Sequence, residues 1–374
     1  VAKITFYISL VFLIYTYFGY AVLLHLLTFV KKQPVRKASI YPNVSVVVAV
    51  WNEEQSITKK ILNILSQNYP RDKLEVILVS DGSTDKSPKI MKGFTESDKR
   101  IRLYCFPRRR GKAAAINMGI SKAKGEIIIL TDSRQLFTAN ATMNMVSNFA
   151  DPMIGAVSGE LFLKSEIDTV GESFSSYWDY EKWIRKNESR IGSVIGVTGA
   201  VCGIRRNLYD PIPENTILDD LMIPMRIIFK GYRVIYDENG IAYDDAPIEY
   251  ERELKRKCRT LTGNFQILSM MPEILSIRKN NLFWQYFSHK ICRLLAPLFI
   301  ILLLISNMFI ANGIFLYLLA GQITFYILAF AGLVLKGQAK RHACLAMPTT
   351  FIMLNYAVCV GFMNHIRRKK DVWI

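Results

Sequence analysis

Apolar positions in this chain fall into two regimes. Near the two ends they run almost unbroken; in the middle they come in short bursts separated by polar and glycine-containing segments. Ile4 to Val30 is apolar and aromatic with His25 as its one ionisable side chain, a stretch long enough to cross a bilayer and too long for a signal-peptide core. Ile291 to Ile310, Ile314 to Leu335 and Ala343 to Phe362 repeat that pattern. Four such stretches predict retained membrane helices, since soluble cores rarely need them. Lys290 and Arg293 are expected at the entrance of the second, leaving His25 alone inside. Pro348 leaves the last stretch open between a full span and a re-entrant or interfacial segment.

Between the ends the periodicity changes. Val44 to Val50 is a β-branched run and predicts a buried parallel strand. Ser56 to Gln67 has helical spacing. Leu74 to Val79, Ile101 to Phe106 and Glu126 to Leu130 predict three more strands, and Lys112 to Lys124 a helix stopped at Gly125. This is a doubly wound α/β pattern, in which ligands collect at the carboxyl ends of the strands. Polar residues fall there: Asn52, Glu53 and Glu54 after the first strand, Asp81 after the second, Asp132 after the fourth. Phe174 to Ile191 predicts an amphipathic helix, and Leu268 to His289 an interfacial region.

Charge adds orientation and partners. Lys31, Lys32, Arg36 and Lys37 follow the first apolar stretch, and Lys279, Lys290 and Arg293 flank the second. Ala311 to Gly313 carries no charge, whereas Lys336, Lys340 and Arg341 follow the third stretch. By the positive-inside rule the central region is cytosolic. Arg367, Arg368, Lys369 and Lys370 argue the other way for a fourth full span. The net charge of +17 suits anionic lipid or an anionic substrate. No nucleic-acid motif accompanies it, so nucleic acid is not expected as a partner. The six cysteines form no C-x-x-C pair, which speaks against a zinc site or a disulfide framework. All four histidines lie outside the central region, so acid–base chemistry there falls to carboxylates. Walker, dinucleotide-binding and G-x-S-x-G motifs are absent.

The motifs that are present share one resemblance. Val46 to Glu54, through Trp51, Asn52 and Glu53, looks like the opening strand of family 2 glycosyltransferases. Ser80 to Asp85, around Asp81, resembles their second motif. Arg110 to Asn117, with Lys112, resembles the stretch that contacts the donor diphosphate. Asp132 stands where their D-x-D begins. Thr198, Gly199 and Ala200 resemble the acceptor-side strand, and Leu218-Asp219-Asp220 the motif that supplies the base. Arg256 to Thr260 stands where the membrane synthases carry Q/R-x-x-R-W. The membrane layout also resembles cellulose, chitin, hyaluronan and poly-N-acetylglucosamine synthases and ceramide glucosyltransferases.

The resemblance implies a GT-A (Rossmann-like) α/β domain at 38–250, after a helix and basic linker at 1–37. Interfacial helices at 251–290 and a membrane region at 291–374 would follow. It implies inverting transfer from a nucleotide diphosphate donor, a UDP-sugar, at an inner membrane with a cytosolic catalytic domain. Asp220 would be the base. Trp51, Asn52, Glu53, Asp81, Lys112, Asp132 and Arg259 would face the donor; Thr198, Gly199, Ala200, Asp219 and Arg256 would lie on the acceptor side. Asp132 would hold Mg2+ or Mn2+. Two departures bear on this. The D-x-D reads Asp132-Ser133-Arg134, with a cation in place of the second carboxylate. Thr260 replaces the tryptophan that offers processive synthases a flat face for the acceptor sugar. A polysaccharide acceptor and a lipid acceptor therefore both stay open. Beside them stands a non-catalytic nucleotide-binding membrane protein, which would place ionisable residues within its spans.

Overall fold

The computed structural model describes residues 1–163, 169–244, 250–335 and 343–367. Lys336, Lys340, Arg341 and Arg368 to Lys370, used above for orientation, lie outside the described residues. The chain divides into two compact units, one formed by Lys32–Lys164 and Glu188–Ala246, the other by Val1–Lys31, Ser165–Asn187 and Pro247–Ile374.

The chain opens with helix α1, Ala2–Val30, interrupted by a π turn at Tyr15–Gly19. The first unit then builds a sheet. Strand β1 (Val44–Val50) is followed by α2 (Ile57–Leu65), β2 (Leu74–Ser80), α3 (Ser87–Ser97), β3 (Ile101–Cys105), α4 (Lys112–Lys122) and β4 (Ile127–Thr131). After β5 (Leu136–Phe137), α5 (Ala141–Ser147) and β6 (Ile154–Leu163) comes the long helix α6 (Thr169–Ile191). The sheet is completed by β7 (Cys202–Arg205) and, after α7 (Asp219–Phe229), by β8 (Arg233–Asp244).

The eight strands lie in the order β3-β2-β1-β4-β7-β6-β8-β5. The first four are parallel, as their β-branched runs predict. The doubly wound expectation ends at β4, which pairs antiparallel with β7; β7 and β6 are antiparallel as well. Both faces of β1 and β2 are covered, so Val46, Val48, Val76 and Leu78 are fully buried. Each such side chain contributes about 1.5–3 kcal/mol on leaving water. Chain order reverses between β2-β1 and β1-β4, which makes the carboxyl ends of β1 and β4 a topological switch point. Lys37 of the basic linker reaches the buried Asp237 at 2.8 Å and ties the linker to this unit while staying partly exposed.

The second unit is helical. α8 (Tyr250–Met270), α9 (Phe283–Phe309, with a π turn at Phe287–Ile291), α10 (Ile314–Val334) and α11 (Ala343–Ile366) join α1. Among the described residues, four helices are long and apolar enough to cross a membrane: α1, α9, α10 and most of α11. α11 continues through Pro348 without a break. α1 meets α9 through the stacked rings of Phe12 and Phe299, whose centroids are 3.8 Å apart, and Tyr17 bonds Asn355 of α11. α9 begins earlier than its apolar run, so His289, Lys290 and Arg293 lie within this helix. The expectation of His25 as the one ionisable residue in the spans does not hold, because the helix recruits the polar residues ahead of the apolar stretch.

Candidate active site

The loops after β1 and β2 are stitched to each other. Asn52 takes a left-handed φ of 51°, and its Oδ1 accepts from the Thr84 amide at 2.8 Å. Its own amide donates to Ser83 Oγ, the Glu53 amide to Ser87 Oγ, and the Glu54 amide to Asp85 Oδ2. Trp51 stands at the end of β1 with the Arg109 guanidinium 3.6 Å from its ring centre, a cation–π contact that fixes both side chains.

Asp81, buried at the end of β2, accepts from the amides of Arg110 at 2.7 Å and Gly111 at 2.9 Å. Its contacts hold the loop that leads into α4. The next residue, Gly82, has φ +64°, and a Cβ there would stand 2.3 Å from the Arg109 nitrogen. Only glycine permits this crossing of two backbones. Arg110 is paired with Glu214.

That loop delivers Lys112 to the first turn of α4. Its amine sits 2.9 Å from Asp132 Oδ1 and 3.3 Å from Asp219 Oδ2. Burial by itself lowers the pKa of this amine; Asp132, Asp219 and Asp220 outweigh it and raise the pKa above the ordinary lysine value. Lys112 is therefore a fixed cation at a helix N-terminus, the two elements from which anion sites are built.

Asp219 and Asp220 open α7. Asp219 is buried and turned to Lys112, while Asp220 lies against the acceptor-side loop. A methyl group on Gly199 would stand 3.5 Å from Asp220 Cβ and 3.6 Å from Lys112 Nζ. The Val197 amide donates to the Asp220 carbonyl at 2.9 Å, Thr198 is held by Ser158 Oγ, and the Ala200 carbonyl accepts from Thr131 Oγ1. Lys112, Asp132, Thr198, Gly199, Ala200, Asp219 and Asp220 thus converge on the end of β4. Glu53 meets Arg134 at the same end of the sheet.

Two residues of this region carried no sequence signal. Lys60 of α2 is fully buried and donates to Thr131 Oγ1 at 2.7 Å and to the Gln135 carbonyl at 2.5 Å, bracketing Asp132 to Arg134. Burial pushes its amine down to about 7, against a smaller pull from Asp132. The Phe137 ring lies 4.1 Å from the same amine. Gln135 of the same loop donates to Asp244 at 2.6 Å.

Residues 45–212 match the family described as Glycosyl transferase family 2. This central stretch is a family 2 glycosyltransferase region. Over 242 residues it is 23% identical to a poly-beta-1,6-N-acetyl-D-glucosamine synthase of Staphylococcus aureus strain COL, covering 63% of this chain. It spans 58% of the length of that relative. A protein of Haemophilus influenzae described as an uncharacterized glycosyltransferase is 40% identical over 108 residues, 29% of this chain and 42% of that protein. Among solved structures, the mannosyltransferase PcManGT from Pyrobaculum calidifontis, in complex with GDP-Man and Mn2+, matches with a TM-score of 0.75 and 22% identity. The match covers 98% of this chain and 99% of that one and shows a shared GT-A fold.

No group of three His, Cys, Asp or Glu side chains converges as a metal cage among the described residues. Asp132, 40% exposed, is the one carboxylate of the shortened D-x-D. A single carboxylate suits Mg2+ or Mn2+ when the remaining oxygens come from substrate phosphates and water. Arg256 and Arg259 belong to α8 of the helical unit. Arg256 is paired with Glu253 at 2.7 Å and lies over the Trp178 ring at 5.0 Å; Arg259 is half-buried. Lys257, in the stretch expected to form interfacial helices, is turned inward, its side chain 15% exposed.

Proposed function

We propose that this chain catalyses inverting transfer of a sugar from a nucleotide diphosphate, a UDP-sugar, to a hydroxyl of a growing polysaccharide. The observation that carries this is the Lys112 amine, set 2.9 Å from Asp132 and 3.3 Å from Asp219 at the first turn of α4, next to Asp220. A cation and a carboxylate base side by side are what a displacement with an anionic leaving group requires.

Asp220 takes the proton of the acceptor hydroxyl, whose oxygen attacks the anomeric carbon as the bond to the diphosphate breaks. Negative charge grows on the leaving diphosphate, and Lys112 with the α4 N-terminus meets it. Asp219 and Asp132 hold Lys112 charged and aimed. Asp132 would hold Mg2+ or Mn2+, which supplies further charge neutralisation when bound. Trp51, Asn52, Glu53 and Asp81 shape the donor pocket, and Thr198, Gly199 and Ala200 the acceptor side. Arg259 is assigned to the diphosphate and Arg256 to the acceptor side. On this reading the enzyme sits in an inner membrane with its catalytic domain in the cytosol; helices long enough to cross a bilayer and basic flanks such as Lys31 and Lys32 support it.

A lipid acceptor is the second reading. Thr260 favours it, because this residue cannot stack on a sugar ring and borders an apolar cavity. The purified chain would be incubated with a panel of nucleotide sugars while UDP and GDP release are recorded and products are sized by mass spectrometry. UDP release with a ladder of product lengths is expected. A single added sugar on extracted lipid would select the second reading, and no nucleotide release from any donor would remove both.

A further inference from the structure

Asn117 stands in the second turn of α4, at the end of the stretch that resembles a diphosphate contact, yet its side chain is spent on the backbone of another segment. Its Nδ2 donates to the Ile212 carbonyl at 2.7 Å. Its Oδ1 accepts from the Ile212 amide at 3.0 Å and from the Tyr209 hydroxyl, so both lone pairs of that oxygen are used. A side-chain amide that meets the N–H and the C=O of one residue fixes that residue in place and in rotation. Ile212 is buried, which keeps the bonds from water.

The two pieces that Asn117 joins are each firmly built. α4 is seated on the sheet: a Cβ on Gly119 would stand 2.4 Å from Val47 Cγ1 of β1. On the other side, Arg226 of α7 donates to the Pro211 carbonyl at 2.7 Å. Lys230, just past the end of α7, donates to the Leu208 carbonyl at 2.9 Å and pairs with Asp210. The segment from Leu208 to Ile212 is thus fastened to α7, whose first residues are Asp219 and Asp220. Two ion pairs bridge the same two pieces. Arg110 and Glu214 have side chains 44% and 49% exposed, and pairs so exposed contribute little. Lys112 meets Asp219, but its amine is the group that a leaving diphosphate would claim. The bonds of Asn117 face no such competition from substrate.

We propose that Asn117 is a positioning residue: by holding Ile212 against α4 it keeps Asp219 and Asp220 in register with Lys112, and it does not touch the donor. This rests on the sugar-transfer reading, in which Asp220 takes the acceptor proton while Lys112 meets the leaving diphosphate. With Asn117 cut short, Lys112 still meets the diphosphate, but base and cation lose their common frame once the amine turns to the donor.

The test compares the parent with Asn117→Ala and Gln67→Ala. Gln67 makes a bridge of the same kind between the end of α2 and the start of α5: its Nε2 donates to the Thr138 carbonyl at 3.0 Å, and its Oε1 accepts from the Thr142 amide and hydroxyl. UDP affinity is read by calorimetry, turnover as nucleotide release from the panel of nucleotide sugars, and backbone exchange by hydrogen–deuterium mass spectrometry, all below the thermal midpoints. Asn117→Ala should bind UDP within about twofold of the parent and lose turnover by about ten- to hundredfold with donor KM little changed, as a displaced catalytic group does. Its exchange over residues 208–220 should quicken. Tyr209→Phe, which removes one bond of the same clamp and keeps the ring, should show this pattern in milder form. Gln67→Ala should lower the thermal midpoint and keep parent turnover. A loss of UDP affinity as large as in Lys112→Ala would make Asn117 a diphosphate ligand and overturn the proposal. Unchanged turnover or unchanged exchange over 208–220 would overturn it too, and so would an equal loss of turnover in Gln67→Ala. A parent that releases nucleotide from no donor would instead strike the sugar-transfer reading, and the exchange over 208–220 tells that failure from a failure of the clamp.

Discussion

Arg134 Nε lies 2.8 Å from Glu53 Oε1, joining the loop after β4 to the loop after β1. The cation that replaces the second D-x-D carboxylate thus has an acidic partner of its own, and Glu53 is further held by Ser56 Oγ at 2.7 Å. A side chain so engaged neutralises diphosphate less fully than a mobile one. Activity should therefore fall in EDTA and recover with Mn2+. Arg134→Asp adds an oxygen ligand beside Asp132 and should shift the Mn2+ titration to lower concentration. Full activity of the parent in EDTA, with no Mn2+ response in Arg134→Asp, would remove the metal from Asp132.

The two carboxylates at the start of α7 should separate in kinetics. Asp220→Asn should bind donor normally and lose transfer by about 10²–10⁴-fold, the usual worth of a general base. Asp219 meets Lys112, so Asp219→Asn should appear first as weaker donor affinity. If Asp219→Asn were the variant with intact affinity and no turnover, the base would be Asp219.

Lys112 and Asp81 should also differ. Lys112→Ala should weaken UDP far more than uridine, because only the diphosphate meets the amine. Asp81→Asn presents an N–H where two amides need acceptors and should destabilise the loop by about 1–3 kcal/mol. Its effect should extend to UDP and uridine alike. Calorimetry giving equal losses for both ligands in Lys112→Ala would contradict the diphosphate assignment.

Lys60 makes a prediction about pH. Its folded pKa of about 7 lies below the unfolded value of about 10.4, so between these limits the unfolded chain carries a proton that the folded one lacks. Stability from this group therefore rises with pH across that window and is penalised below about pH 7. Thermal midpoints at pH 7, 8 and 9 should climb more steeply in the parent than in Lys60→Met. Parallel profiles would mean that Lys60 stays protonated in the fold.

Local signals carried the parallel half of the sheet. Val44 to Val50 is a strand at the bounds its β-branched run predicts, and Lys112 opens its helix where expected. The mixed half was not legible, because the short Cys202 to Arg205 strand takes its direction from pairing with β4, a contact distant in sequence. Lys60 was missed for the same reason: its hydrogen bonds reach Thr131 and Gln135, and a lysine within an amphipathic helix reads as a solvent residue. Lys257 stands among basic residues in the stretch expected to be interfacial, yet the helix turns it inward, which its neighbours in sequence do not signal.

The crossing at Gly82 has a thermodynamic consequence. With the Asp81 carboxylate on two amides and the two backbones in contact, the loop into α4 has little freedom left to lose. On the proposed function, ordering of this segment belongs to folding and not to each donor encounter. Nucleotide binding there should show a small conformational entropy penalty. Replacing Gly82 by alanine should then cost affinity mainly through entropy, as a loosened loop is ordered again at each turnover.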